Sequence, residues 1–251
     1  LEKSRTLERE IIGERGCVFD CSGNRNLLAM NLPMKDICAD PALLVASNRL
    51  DEVAIQLGNA LDLPAAELAR KLDRPDRRHA YVERFVKQDT ADAIAAKELF
   101  GVYFEDTTQR YYPQGSFLCH VLGFVNHEGV GSAGIEQALD KYLRGSPGYI
   151  QSMKNANRQE LYWRRESDVA PLPGADVTLT IDQNVQHIVE KSLDELLTHF
   201  RVKGAWAIVQ RVKTGEILAM ASRPAFDLNL FNSTPPENKL NRAIGYVFEP
   251  G

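Results

Sequence analysis

The sequence predicts an α+β fold in two parts, and three observations carry that prediction. Residues 50–100 show helical periodicity between strand-like flanks. Residues 176–251 open with a strand, a long helix and a hairpin of two apolar strands, an order that belongs to α+β folds. Between the two, residues 149–180 are polar and turn-rich, with Pro171, Pro173 and Gly174 as punctuation, so a domain boundary is expected near residue 175.

The elements follow in chain order. Cys17, Val18 and Phe19 are β-prone, Ser22-Gly23-Asn24 has turn chemistry, and Leu27–Met30 resumes an apolar run, giving strand, turn, strand. After Asp40-Pro41, Leu50, Val53, Ala54, Leu57 and Leu61 recur at three and four residues, as one helix face requires, and Leu63-Pro64 ends the run. A short helix is expected over Ala65–Leu72, and HAYVERFV alternates like a strand. Asp89–Leu99 reads as a helix capped by Asp89 or Thr90, with Gly101 suited to its exit, and VYFEDTTQRYYP looks extended. In the last part, VTLTI is a strand. Asp182 or Thr180 then caps a helix whose apolar stripe is Val185, Ile188, Val189, Leu193, Leu196, Leu197 and Phe200. AWAIVQRV and EILAMAS flank a Lys213-Thr214-Gly215 turn as a hairpin apolar enough to need cover on both faces.

The chain has 251 residues, 44% hydrophobic, with a formal net charge of −4. That is globular composition, and its mild acidity argues against a nucleic-acid partner. No apolar run approaches the roughly 20 residues that span a bilayer. Cys17, Cys21, Cys38 and Cys119 lack the close spacing of a zinc knuckle or a redox pair, and plain thiols are expected, with no metal and no cofactor.

Several motifs are decoys. Gly129-Val130-Gly131-Ser132-Ala133-Gly134 fits G-x-G-x-x-G between a strand-like HVLGFVN and a helix-like IEQALDKYL. The following YIQSMKN is too polar for a buried parallel strand, and no acid stands at the ribose position. The glycines are therefore expected to let a helix start at close quarters, with Glu136 in its first turn. Lys213-Thr214-Gly215 matches one signature of penicillin-interacting serine enzymes, but no serine in the chain has a lysine three residues on. No G-x-S-x-G elbow exists, and His79, His120, His127, His187 and His199 are scattered. From the residues alone, no catalytic set can be defended.

The ordered set of motifs resembles class B penicillin-binding proteins, peptidoglycan D,D-transpeptidases, and among them the cell-division type. Arg15-Gly16-Cys17-Val18-Phe19-Asp20 with Ser22-Gly23, then Ala39-Asp40-Pro41, resembles the family's opening motif, with Cys21 where the family has Arg. Arg110-Tyr111-Tyr112-Pro113-Gln114-Gly115 and His120-Val121-Leu122-Gly123-Phe124 resemble the second motif. Gly131 through Gly134-Ile135-Glu136, with Asp140 and Leu143-Arg144-Gly145, resembles the third. Thr180-Ile181-Asp182 with Gln186, Thr214–Ser222, and Phe226-Asp227-Leu228-Asn229 match the start of the transpeptidase domain. Asn241-Arg242-Ala243 and Phe248-Glu249-Pro250-Gly251 match the approach to its nucleophile.

The resemblance implies an elongated, strand-rich pedestal (1–175) with a helical insertion at about 50–100, and an incomplete transpeptidase domain (176–251) that stops just before S-x-x-K. Catalytic residues are thus expected beyond Gly251, a membrane anchor upstream of residue 1, and an extracytoplasmic location. Implied partners are peptidoglycan stem peptides, β-lactams, a glycan polymerase and cell-division proteins. Arg15, Gly16, Asp20, Gly23, Arg110, Tyr112, Pro113, Gly115, Gly123, Gly134 and Glu136 are expected to be structural. Of these, Arg15, Asp20, Arg110 and Glu136 are expected to form a partly buried charge network. The alternative is a noncatalytic interaction module whose helical insertion makes the contact. Residues 176–251 are expected to be the less stable part.

Overall fold

The computed structural model describes residues 6–11, 13–154 and 160–247. Phe248, Glu249, Pro250 and Gly251 lie outside the described residues. In chain order the elements begin with β1 (Thr6–Ile11), β2 (Val18–Phe19), β3 (Leu27–Ala39), α1 (Pro41–Ala46), α2 (Leu50–Leu61) and α3 (Ala65–Leu72). Next come β4 (Ala80–Val86), α4 (Gln88–Ala95), β5 (Val102–Tyr111), α5 (Cys119–Leu122), α6 (Gly134–Ala138) and α7 (Asp140–Leu143). Then follow β6 (Gly148–Lys154), β7 (Glu160–Val169), β8 (Val177–Thr178), α8 (Gln183–Phe200), β9 (Ala205–Gln210), β10 (Ile217–Arg223) and α9 (Arg242–Gly245). The mixture is α+β, as the element pattern predicts. The chain divides into two compact units, residues 32–109 and residues 1–31 with 110–251.

In the unit of residues 32–109, the C-terminal half of β3 pairs antiparallel with β4, with Cys38 opposite Tyr81 and Ala39 opposite Ala80. β5 also pairs with β3. Helices α1–α4 close over a core that includes Ile37, Leu44, Val53, Leu57, Leu72 and Val82. Asp40 caps α1 by accepting from the Leu43 backbone N–H at 3.0 Å, with Pro41 at the first helical position. Asp62, at φ 56, ends α2. Buried Asp36 accepts from the Phe85 N–H at 2.8 Å and pairs with Arg84 at 3.0 Å.

One expectation here is corrected. The fourth helix is Gln88–Ala95, not Asp89–Leu99, and neither Asp89 nor Thr90 caps it. Both sit inside its first turn, where Asp89 complements the helix dipole. Glu98 (φ 47) and Gly101 (φ 71) then turn the chain into β5.

In the other unit, β2 pairs antiparallel with the start of β3 and parallel with β8. A core of Val18, Leu28, Phe117, Leu118, Leu122, Leu143, Ile181 and Leu228 packs beside them. β1, β6 and β7 form a three-stranded antiparallel sheet, with Thr6 opposite Met153 and Lys154 opposite Glu160. This sheet corrects the reading of residues 149–180 as mainly turns. Its polar strands lack a clean apolar alternation, and pairing with partners far along the chain overrides weak local propensity.

Helix α8 runs Gln183–Phe200, capped by Asp182, whose carboxylate accepts from Asn184 N–H at 2.8 Å. Its packed face is not the expected stripe. Gln186, Glu190 and Leu193 are buried, with Val189 and Leu197 against the small core, whereas Ile188 and Phe200 are 64% and 69% exposed. β9 and β10 form the expected hairpin, Met220 opposite Ile208, and Gly215 (φ 79) closes its turn by donating to the Arg211 carbonyl at 2.8 Å.

The two faces of α2 provide a stability test. Leu57 is fully buried and Ile55 is 53% exposed. Leu57→Ala is expected to cost about 2–5 kcal/mol in urea denaturation, and Ile55→Ala less than about 0.5 kcal/mol.

Candidate functional site

The three motif clusters of the first half meet at one carboxylate. Glu136 stands in the first turn of helix α6, is fully buried, and lies between two arginines. Arg15 donates through Nε to Glu136 Oε2 at 2.7 Å, and Arg110 donates through Nε to Oε1 at 2.7 Å. Both guanidinium groups are also nearly buried, at 7% and 5% side-chain exposure. Buried ions of this kind hold together only where their remaining hydrogen-bonding groups are met, and here most are. Arg15 also donates to Asp140 Oδ1 at 2.6 Å and to the Glu136 backbone carbonyl at 2.8 Å. Arg110 Nη1 donates to the Gly16 carbonyl at 2.8 Å and to Asn31 Oδ1 at 3.1 Å. Asn31 Nδ2 in turn donates to the Arg15 carbonyl. Asp140 Oδ1 further accepts from the Gly131 N–H at 2.8 Å. Burial alone would raise Asp140, but the bonds from Gly131 and Arg15 outweigh it and hold the carboxyl below its ordinary value.

Asp20 is not a member of this network. It caps its own turn instead, accepting from Ser22 Oγ and Asn26 N–H at 2.8 Å each and from Asn26 Nδ2 at 3.0 Å. Burial pushes its pKa up, but these bonds outweigh it and the net shift is downward. Gly23 in that turn faces open space. Cys21 is exposed and joins the structure through its backbone, donating to the Ile181 carbonyl at 2.9 Å.

The glycines let backbone pack on backbone. A Cβ at Gly123 would lie 1.9 Å from the Ala133 carbonyl oxygen, at Gly131 1.9 Å from that of Glu136, and at Gly16 2.0 Å from that of Ala175. A Cβ at Gly134, whose φ is 58, would lie 2.4 Å from the Val121 carbonyl oxygen. Two glycines of the G-x-G-x-x-G loop, Gly131 and Gly134, thus serve packing against their own chain, whereas Gly129 (φ 78) faces open space and serves the turn. HVLGFVN, expected as a strand, instead contains the short helix α5, ended by Gly123 at φ 69.

Residues 112–115 are held by the 226–229 segment. Asn229 Oδ1 accepts from the Tyr112 N–H at 3.1 Å, and its Nδ2 donates to the Tyr112 carbonyl at 3.0 Å. Gly115, at φ 57, accepts from Leu228 N–H at 3.2 Å. Pro113, between them, is exposed. The Tyr112 ring is buried, which raises its phenol above the ordinary value.

A second polar cluster escaped the sequence reading. Arg223 pairs with Asp194 through Nε at 2.5 Å and Nη2 at 2.9 Å, and reaches Glu190 Oε2 at 3.3 Å. Glu190 Oε1 accepts from the Leu118 N–H at 2.8 Å and from Gln186 Nε2 at 2.7 Å. Gln186 brackets Met220, accepting from its N–H at 2.8 Å and donating to its carbonyl at 3.1 Å. The signal was present, because 186, 190, 193 and 197 recur at helical spacing, but polar members at 186 and 190 hid it behind the apolar residues. Beside this cluster, buried His120 contacts the Asn238 carbonyl through Nε2 at 2.8 Å, and burial lowers its pKa.

Asn241 and Arg242 pack against the hairpin. Asn241 caps α9, accepting from Ala243 N–H at 3.1 Å, and the Arg242 N–H donates to Ser222 Oγ at 3.2 Å. Glu249, Pro250 and Gly251, their companions in the motif, lie outside the described residues.

Two expectations follow. Glu136→Gln removes the charge that both buried guanidinium groups face, leaving Arg15 with Asp140 alone, and should cost about 3–5 kcal/mol in chemical denaturation. Asp140→Asn should cost less, since Asp140 is partly solvated and Arg15 keeps Glu136. For His120, the folded value lies below the unfolded one near about 6.5. The unfolded chain therefore binds a proton that the native chain refuses, and stability falls as pH drops through that window. His120→Gln should flatten that part of the slope between about pH 7 and pH 5.5 in urea denaturation.

Comparison with known proteins gives this geometry a family. The profile of the penicillin-binding protein dimerisation domain matches residues 10–179. Peptidoglycan D,D-transpeptidase FtsI of Escherichia coli is 32% identical over 97% of this chain and 41% of its own length. The probable peptidoglycan D,D-transpeptidase PenA of Neisseria gonorrhoeae is 28% identical over 94% of this chain and 40% of its own. The chain thus spans about two-fifths of the length of these relatives. Among solved structures, a peptidoglycan synthetase from Bifidobacterium adolescentis aligns at TM-score 0.63 and 27% identity, covering 96% of this chain and 47% of that one. PBP2 from Helicobacter pylori, solved as a complex with MreC, shares the fold at TM-score 0.70 and 24% identity, covering 90% of this chain and 44% of that one. With its arginine-bracketed Glu136 inside the matched span, the chain belongs to the penicillin-binding proteins and carries their dimerisation domain.

Proposed function

We propose that this chain is the front part of a peptidoglycan D,D-transpeptidase of the cell-division type, its pedestal ending near residue 175 and the first segment of its transpeptidase domain filling 176–251. One observation carries the reading. The match to relatives named as D,D-transpeptidases runs over nearly the whole chain, past residue 179, where the dimerisation-domain match stops, and into the α8–β10 segment. The division type is supported by relatives named FtsI and by the stage V sporulation protein D of Bacillus subtilis, 35% identical over 67% of this chain and 26% of its own length.

In this reading, a serine after Gly251 attacks the carbonyl between the two terminal D-alanines of a stem peptide. D-Alanine leaves, and an amine from a neighbouring strand resolves the acyl-enzyme into a cross-link. A lysine one helical turn after the serine acts as base, and the helix N-terminus there favours the developing negative charge. β-Lactams acylate the same serine. This chain's own residues aim that approach. Asn241 caps α9, and Ser222 and Met220 hold residues 241–242 on β10. The pedestal network does no chemistry and keeps the motif clusters in register.

The working location is the extracytoplasmic face of the bacterial membrane, with an anchor upstream of residue 1. No helix among the described residues is long and apolar enough to cross a membrane. Partners in the reading are a glycan polymerase and cell-division proteins, met through residues 32–109. The Helicobacter pylori complex shows that a protein of this fold takes MreC as a partner.

Labelling with fluorescent penicillin tests the proposal, comparing this chain with one extended through the codons after Gly251. The extended chain should be labelled covalently, and replacing its first serine by alanine should abolish the label. The present chain should stay unlabelled. If Ser-x-x-Lys does not follow Gly251, or the extended chain stays unlabelled, the enzyme reading falls and a noncatalytic pedestal takes its place.

A further inference from the structure

Two strands of the 32–109 unit and the residue before a third bring a thiol, a carboxylate and an imidazole to one point. Cys38 lies on β3, Glu105 on β5, which pairs with β3, and His79 immediately precedes β4. The pairing of Ala39 with Ala80 and of Cys38 with Tyr81 sets His79 beside the end of β3. One ligand atom from each of Cys38, His79 and Glu105 lies within 4.8 Å of the other two.

We propose that this trio is a binding site for a divalent metal of the zinc class, an inference independent of the transpeptidase reading. The donor set selects the metal. A thiolate argues against magnesium and calcium, and one sulfur, one nitrogen and one oxygen suit a borderline-soft ion. With bonds of about 2.0–2.3 Å, tetrahedral ligand atoms sit about 3.3–3.6 Å apart. Closing from spacings within 4.8 Å takes at most about 1.5 Å, within reach of side-chain rotation because only Cys38 is fully buried; Glu105 is partly buried and His79 exposed. The open side of the trio leaves a fourth position for water, as in sites with three protein ligands.

The support around the trio is that of a built site. The Tyr103 hydroxyl lies 2.6 Å from His79 Nδ1, and the Tyr81 ring meets the imidazole edge-on at 4.7 Å between centroids, so the ring is oriented by two neighbours. A hydrogen bond to a ligating histidine is what fixes its orientation at metal centres. The guanidinium of Arg84, on the same strand as Tyr81, is engaged by Asp36 at 3.0 Å.

Titration of the purified chain with Zn²⁺ alone, followed by calorimetry, should show a single saturable site. Co²⁺ in its place should give the near-ultraviolet thiolate-to-cobalt charge-transfer band, and Cys38→Ser should remove that band. His79→Ala and Glu105→Gln, at positions that solvent reaches, should each weaken Zn²⁺ binding by about tenfold or more with the circular dichroism spectrum unchanged. Cys21→Ser should leave the affinity as it is. Absence of saturable binding overturns the proposal, as does binding that survives both His79→Ala and Glu105→Gln or that is lost with Cys21→Ser.

Discussion

A single buried carboxylate sets the geometry of the larger unit. Glu136 is fully buried, so its charge is tolerable only with Arg15 and Arg110 in place. Each arginine carries a piece of chain with it. Arg15 brings the segment before β2, and Arg110 brings the end of β5. The guanidinium groups then reach past Glu136 to Gly16, Asn31 and Asp140, and their planar, multi-donor shape is why arginine rather than lysine serves at both positions. Three stretches far apart in sequence are thereby held in one register.

That register needs room, which glycine supplies. Around Gly123, Gly131 and Gly16 any side chain would collide with carbonyl oxygens. The charge network and the glycines occupy the same segments, the 2.7 Å ion pairs lying beside the close backbone contacts at Gly16 and Gly131. The Gln186–Glu190–Arg223 cluster works in the same way further along. It satisfies the Leu118 N–H and both polar groups of Met220, so a helix with much of its apolar surface exposed is nonetheless pinned by polar bonds. The hairpin and the short α9 that follows inherit their position from it.

Much of this was legible in residue order. Helices α2 and α3 and the β9–β10 hairpin lie where periodicity and turn chemistry put them, because each is a local pattern. Arg15, Arg110 and Glu136 were legible through the family resemblance of the three motifs that carry them. What stayed hidden depends on contacts between distant residues. The strands β1, β6 and β7 are polar and gain their stability from pairing, for which composition leaves no mark. Asp20 resembled a network member but has Ser22 and Asn26 closer at hand, and the nearer donors win. The stripe on α8 was misread because burial there follows hydrogen-bonding need at Gln186 and Glu190, not hydrophobicity. Cys38, His79 and Glu105 share no spacing rule at all, and only strand pairing unites them.

The path of the chain through residues 32–109 has an evolutionary consequence. This unit leaves along β3 and returns along β5, strands that are themselves paired, so its two ends are neighbours. On the near side of that passage, Arg110 donates to Asn31, joining the last residue before departure to the first after return. An insertion anchored this way behaves as a cassette. Lineages can lengthen it, redecorate it or trade it for another while the frame that carries Glu136 keeps its own closure.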